Sequence, residues 1–233
     1  MSFTKGVRDG IPIALGYFSV SVAFGLMAVE AGCTWIESML ISITNLTSAG
    51  QFAGVTVLTH MGTYLEMAIM QFVVNLRYGL MGIALSQKVN DRFKGIWRLI
   101  LGFAITDEIF AVAIGQDGQI SRRYFAGLAS LPVIGWTAGT VTGAILGNIM
   151  PEIITSALGV ALYGMFIAVV VPKAKEDRRV LAVVAIAVAI SAAFRYTPVF
   201  SGVSTGFAII ICAVAASAAG AVLFPVSESQ EVQ

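Results

Sequence analysis

No Asp, Glu, Lys or Arg occurs between residues 38 and 65, and four further charge-free runs cover 10–29, 124–151, 153–172 and 196–227. About 20 apolar residues suffice for a helix to cross a bilayer. Stretches of that length without strict apolar–polar alternation are helical rather than β in a membrane, where each backbone N–H and C=O must be satisfied within the segment. Residues 65–87 and 97–116 are long enough to cross but contain charges, and 180–194 is apolar but short. Charged residues make up only 12% of the chain against 58% apolar, where a soluble domain carries roughly 25% charged. Too few charges remain to cover a water-facing surface. The expectation is an all-α, polytopic membrane bundle of seven or eight segments, one transmembrane domain over 1–233 with no separate soluble domain and with the lipid bilayer as its solvent.

Several function classes fall away on the same reading. A net charge of +1 argues against a nucleic-acid partner. There is no GxxxxGK[ST] loop to bind ATP. No catalytic dyad and no metal-ligand cluster is apparent, so no enzyme activity, cofactor or metal is expected. Cys33 and Cys212 lie far apart in apolar surroundings and read as structural thiols rather than a disulfide. The amino terminus, MSFTKGVRDGIPIALGY, has Asp9 and Pro12 where a signal peptide would be apolar, so the first helix is expected to stay in place. The polar tail at 227–233 is expected to be disordered.

The basic loops at 88–98, Arg122 with Arg123, and 173–179 belong together on the cytoplasmic side. Straight crossings cannot place them so: with eight spans, Lys88, Arg92 and Lys94 fall opposite the others. Broken or re-entrant helices resolve the conflict. An internal repeat is also visible. Gly16-Tyr17 matches Gly135-Trp136, GQFAGV at 50–55 matches GMFIAV at 164–169, Arg77-Tyr78 matches Arg195-Tyr196, and GFAI at 102–105 matches GFAI at 206–209. The order is the same in both halves, 10–117 and 121–225. Repeat-built transporters place their site on discontinuous helices where the halves meet.

The stretch SITNLTSAGQFAG at 42–54 is where a break is expected. Asn45, Thr47, Ser48 and Gln51 crowd around Gly50 in the middle of an otherwise apolar run. Ser, Thr and Gly alone would read as close helix packing. Asn and Gln, costly in lipid, favour a break whose half-helix amides receive a carboxylate. Asn75, Arg77 and Tyr78 follow near the middle of the next segment. A mid-membrane arginine needs a cavity or a counter-charge, and Asp107 and Glu108, placed near the middle of the fourth segment, offer one. One acid would pair with Arg77, leaving the other to carry a proton or bind an ammonium; the sequence does not say which. The plainer reading is a structural ion pair. Gly135, Gly139, Gly143 and Gly147 form a small-residue face suited to close helix packing, within the chain or against a second subunit. His60 reads as a helix-end residue, Arg195 as an interfacial one, Glu66 as lying near a membrane surface, and GVSTG at 202–206 as a chance match to the hydrolase pattern.

DGIPIALGYFSVSVAFGLMAVEAG, SAGQFAG, NLRYGL and TDEIFAV, in that order, resemble the AzlC (YgaZ) family of branched-chain amino-acid exporters. The similarity runs from about Gly6 to the last helix. The resemblance implies a bacterial inner-membrane protein working with a small hydrophobic subunit of the AzlD (YgaH) type, exporting valine, leucine, isoleucine and in some cases methionine. It implies importance for the SAGQF segment, for Asn75, Arg77 and Tyr78, and for Asp107 and Glu108. Without a nucleotide site the proton motive force is the expected energy source, by antiport. A channel for a small solute or ion, and a membrane scaffold subunit, are the alternatives.

Overall fold

The computed structural model describes residues 1–90, 93–147, 164, 167, 170–200 and 202–225. Besides helical residues at 164, 167 and 170–176 and one short 3-10 helix at Pro198–Phe200, the described residues form nine α-helices with both ends placed. They are α1 (Phe3–Glu30), α2 (Trp35–Thr44), α3 (Ala49–Thr59), α4 (Tyr64–Lys88), α5 (Ile96–Gly102), α6 (Asp107–Ile114), α7 (Arg122–Leu146), α8 (Arg178–Tyr196) and α9 (Thr205–Leu223). The protein is all-α, and α1, α4, α7, α8 and α9 are each long and apolar enough to cross a membrane. The run 38–65, where an interruption was expected at 42–54, holds two short helices, α2 and α3, whereas 97–116, expected to be continuous, is split into α5 and α6. Most of 153–172, including much of the second copy of the GQFAGV match, and the tail at 227–233 lie outside the described residues.

The chain forms two compact units, Met1–Val55 with Asn75–Leu162, and Thr56–Val74 with Tyr163–Gln233. The first is organised by α1 and α7. Gly6 faces Tyr124 and Leu128 while Gly25 faces Thr140 and Ala144, so the two helices run parallel. Glycines interlock from both sides. A Cβ on Gly6, Gly25, Gly127, Gly139 or Gly143 would collide with a backbone oxygen of the facing helix, and one on Gly135 would sit 2.6 Å from the Ala14 oxygen. Gly147 is at the margin, against the Leu26 side chain at 3.0 Å. Lipid gives no hydrophobic drive for helices to associate, so such backbone approach supplies the van der Waals contact and Cα–H···O geometry that holds them. Gly10 makes room for the ring of Pro132, which sits inside α7.

Between these helices the apolar centre is built from Tyr17, Trp136, Tyr124, Phe125, Leu128 and Ile109. Local signals explain the short helices. Thr34 and Glu37 form a reciprocal capping box that starts α2. The chain leaves helical geometry at Asn45 and turns at Ser48, whose φ of 44° is left-handed. Thr106 caps α6, its hydroxyl accepting from the Ile109 N–H.

In the second unit α8 and α9 lie against one another, with Gly220 admitting the side chain of Val183. No residue of α8 is buried, and Leu181 and Val188 are open. A helix apolar all round and exposed is stable in lipid, not in water.

Replacing Gly143 with Ala forces α1 and α7 apart and is expected to cost about 1–3 kcal/mol, the usual range for overpacking. Gly16→Ala, where a Cβ meets nothing within 4 Å, serves as the control. Thermal midpoints in detergent check this: Gly143→Ala falls and Gly16→Ala does not, whereas equal midpoints would show that the glycine contacts are not tight.

Candidate functional site

Both helix interruptions carry polar side chains, and α4 supplies residues that touch each. At the first, the Thr47 hydroxyl donates to the Asn45 side-chain oxygen at 2.8 Å. The Gly50 N–H donates to the Thr47 carbonyl and the Phe52 N–H to the Ser48 carbonyl. These bonds satisfy part of the turn's own backbone, so fewer amides at the start of α3 are left for a ligand than the break alone would provide. From α4, the Tyr78 hydroxyl donates to the Thr47 carbonyl at 3.4 Å.

Gln51 turns the other way, toward α7. Its side-chain N–H donates to Ser42 Oγ at 3.0 Å, Ser42 lies 2.7 Å from Thr140 Oγ1, and Thr140 donates to the Trp136 carbonyl at 3.0 Å. With the Thr140 proton so used, Ser42 donates to Thr140, giving one directed chain of hydrogen bonds through buried residues. At its two ends sit buried polar atoms without a partner among the described residues: the Gln51 side-chain oxygen and the Trp136 indole N–H. Such atoms are costly unless water or a ligand meets them.

At the second interruption Arg77 pairs with Asp107 at 2.8 Å, each about 40% exposed (43% and 39%). The guanidinium also lies over the Tyr78 ring, 4.9 Å from its centroid, and donates to the Tyr78 hydroxyl at 3.1 Å. Glu108 has a different environment. Tyr17 Oη is 2.5 Å from its Oε2 and 2.6 Å from Thr106 Oγ1. The phenol has one proton and gives it to the carboxylate, the stronger acceptor. Among the described residues Glu108 has no cation within salt-bridge distance.

The structure therefore distinguishes the two acids, which the sequence did not. It also corrects their place: Asp107 and Glu108 stand in the first turn of α6, beyond a break at 103–106, rather than midway along a continuous helix. The Thr106 cap ends the expected continuity, and acids in a first turn favour the positive helix end. Asn75 lies on α4, half-buried, two residues before Arg77. Gly135, Gly139 and Gly143 all face α1. Tyr17, Ser42, Thr106, Trp136 and Thr140 were not singled out as site residues from sequence. Tyr17 and Trp136 did appear as matched positions of the repeat, and their rings meet edge to face with centroids 5.4 Å apart. A separate cavity of about 140 Å³ is lined by Gly82, Leu85, Phe93, Arg98, Leu101 and Phe125 among others, and none of the predicted site residues borders it.

A helical membrane protein whose interrupted segments carry polar and charged side chains is the class this arrangement defines. The chain belongs to the AzlC family: the family's model, described as AzlC protein, matches residues 12–150, more than half of the chain. It is similar to the inner membrane protein YgaZ of Escherichia coli K12, 29% identical over 175 residues covering 72% of this chain and 71% of YgaZ. An uncharacterized membrane protein of Archaeoglobus fulgidus is 29% identical, covering 74% of this chain and 76% of its own length. The branched-chain amino acid transport protein AzlC of Bacillus subtilis 168 is 22% identical, covering 76% and 70%. No solved structure matches the chain.

Thr140→Val removes the hydroxyl that accepts from Ser42 and leaves the chain from Gln51 without its buried end. The expected cost is about 1–3 kcal/mol, that of an unsatisfied buried group. Ser19→Ala, at an exposed hydroxyl bonded only to its own helix, is the neutral control. Unfolding in detergent read for both variants tests this; a Thr140→Val protein as stable as the control would show that the network contributes nothing.

Proposed function

We propose that this protein is the large subunit of a secondary exporter of valine, leucine and isoleucine, with methionine as a further substrate, in the bacterial inner membrane. In this reading it works with a small AzlD/YgaH-type subunit and is driven by proton antiport. The observation that carries the reading is Glu108: an acid beside an Arg77–Asp107 pair, held by the Tyr17 phenol and without a cation among the described residues. Family membership and the name of the Bacillus relative, a branched-chain amino acid transport protein, support the substrate class.

A zwitterion needs donors for its carboxylate and acceptors for its ammonium. Arg77, with amides and side chains of the 45–51 segment, takes the carboxylate. Glu108 takes the ammonium, and Asp107 keeps Arg77 oriented. Tyr78 and Tyr17 supply apolar ring faces for a branched side chain. A proton and an ammonium compete for one carboxylate, which is the requirement for antiport: protonation of Glu108 from outside ejects the substrate, and deprotonation inside readies the site. Asn45, Thr47, Ser48, Gly50, Gln51 and Asn75 complete the lining. The split segments are read as discontinuous membrane helices, and the halves 10–117 and 121–225 as a duplicated unit. The contact between the matched residues Tyr17 and Trp136 supports the duplication.

Leucine, valine and methionine efflux from preloaded cells tests this, with the chain expressed alone and with its small partner. Uphill efflux that collapses with an uncoupler is expected; flux that never runs uphill would mean a channel instead. Glu108→Gln is expected to lower efflux about 10–100-fold, the value of a charge-assisted hydrogen bond of roughly 1.5–3 kcal/mol, and to flatten its pH dependence. Full rate with unchanged pH dependence in that variant would exclude Glu108 as the coupling group.

A further inference from the structure

Glu66 was expected near a membrane surface and GVSTG at 202–206 was set aside as chance; the structure brings the two together within the second unit. Glu66 is 3% exposed and is the only acid among the buried polar residues described. It stands in the first turn of α4, where its N–H donates to Thr63 Oγ1 at 3.2 Å and its carboxylate accepts from the Thr63 N–H, a reciprocal capping box. The same carboxylate reaches the start of α9. Ser204, the cap of that helix, donates its hydroxyl to Glu66 Oε1 at 2.5 Å, and the backbone N–H groups of Gly206 and Phe207 also point at it. Gly206 is required for this approach, since a Cβ there would collide with Oε1. One carboxylate thus closes the positive ends of two helices.

No cation shares this charge among the described residues. Over Thr205–Leu223 α9 has no charged residue, and its one thiol, Cys212, lies further along the helix. On the connection into α4, His60 is engaged with Thr56 and Thr59, and Tyr64 is exposed. Arg195 and Tyr196 close α8, with Tyr196 exposed and neither paired with Glu66. Helix amides and a hydroxyl alone hold the anion, so its charge is the part of the contact that a single proton removes.

We propose that Glu66 is a proton-responsive clamp, tying the start of α4 to the start of α9 when ionised and releasing α9 when protonated. The neutral acid retains an acceptor oxygen for the Thr63 box but no longer attracts the Ser204, Gly206 and Phe207 donors as an anion does. The clamp does not depend on the transport reading, and its test reads helix ends rather than flux. Because Glu66 and Arg77 share α4, the clamp also offers the proposed exporter a second point at which protonation acts.

The test is amide hydrogen exchange at Gly206 and Phe207 in the full chain in lipid nanodiscs, corrected for intrinsic exchange, between pH 7 and pH 3, a range that reaches below the usual glutamate pKa of about 4.3. In the wild-type protein protection is expected to fall by about tenfold as the pH drops, reflecting the stronger hydrogen bonds of a charged acceptor. Glu66→Gln keeps a capping side chain and is expected to show the low protection at both pH values. Protection in wild type that is independent of pH would overturn the proposal, and that titration decides the matter even where the variant fails to fold. Equal pH steps in wild type and Glu66→Gln would overturn it as well. Failure of efflux with a normal exchange profile would overturn only the transport reading.

Discussion

The approach of α1 and α7 is the contact on which the rest of the first unit depends. Their glycines remove the side chains that would hold two backbones apart, and the helices lie against each other from Gly6 and Tyr124 to Gly25 and Ala144. Lipid competes as well as any apolar side chain for a smooth helix surface, so only fitted backbone contact distinguishes the correct neighbour. With that register fixed, Tyr17 and Trp136 meet at a set height. Tyr17 then reaches Glu108 and Thr106 on one side, while Thr140, one turn beyond Trp136, receives Ser42 and holds α2 in place. A packing choice made with the smallest residue positions the largest and most polar ones.

The two interruptions follow one physical rule. A helix end inside an apolar medium must find partners for its free amides and carbonyls. At 45–48 the partners are Asn45, Thr47 and the turn's own carbonyls; at 103–106 they are the Thr106 hydroxyl and the carbonyls of Leu99, Leu101 and Gly102. Arg77 and Tyr78 then link α4 to both, by the Asp107 ion pair and by the Thr47 carbonyl. Polar side chains serve the backbone first and have capacity to spare. That spare capacity lies in the Gln51 side-chain oxygen and the Trp136 indole, which have no partner among the described residues, and in the carboxylate of Glu108.

Much of this was legible in the sequence because membranes impose simple rules. Charge-free runs marked α1, α7 and α9, while α4 carries charges and α8 looked short; the cluster of Asn, Gln, Ser and Thr around Gly50 marked the interruption between α2 and α3. The glycine spacing of 135, 139, 143 and 147 marked a packing face, though it could not name α1 as the neighbour. The second break was missed, since Phe103, Ala104 and Ile105 are as apolar as the helices they separate and only Thr106 signals a new start. Tyr17 and Trp136 were visible as repeat matches rather than as contacts, because an aromatic residue in an apolar run has no distinguishing mark. The partners of Glu66 were not legible for a related reason: they are backbone amides and a hydroxyl 138 residues away, and amides leave no trace in a sequence.

The most direct check of the account is whether substrate occupies the first interruption. Ala49→Cys, in a chain whose Cys33 and Cys212 are replaced by Ala, places a single thiol at the start of α3 beside Ser48 and Gly50. With the proposed AzlD/YgaH-type subunit co-expressed, the rate of thiol labelling would be measured in membranes with leucine, with glutamate and with neither. Leucine is predicted to slow labelling several-fold while glutamate leaves it unchanged. Labelling at one rate under all three conditions would contradict the placement of the site.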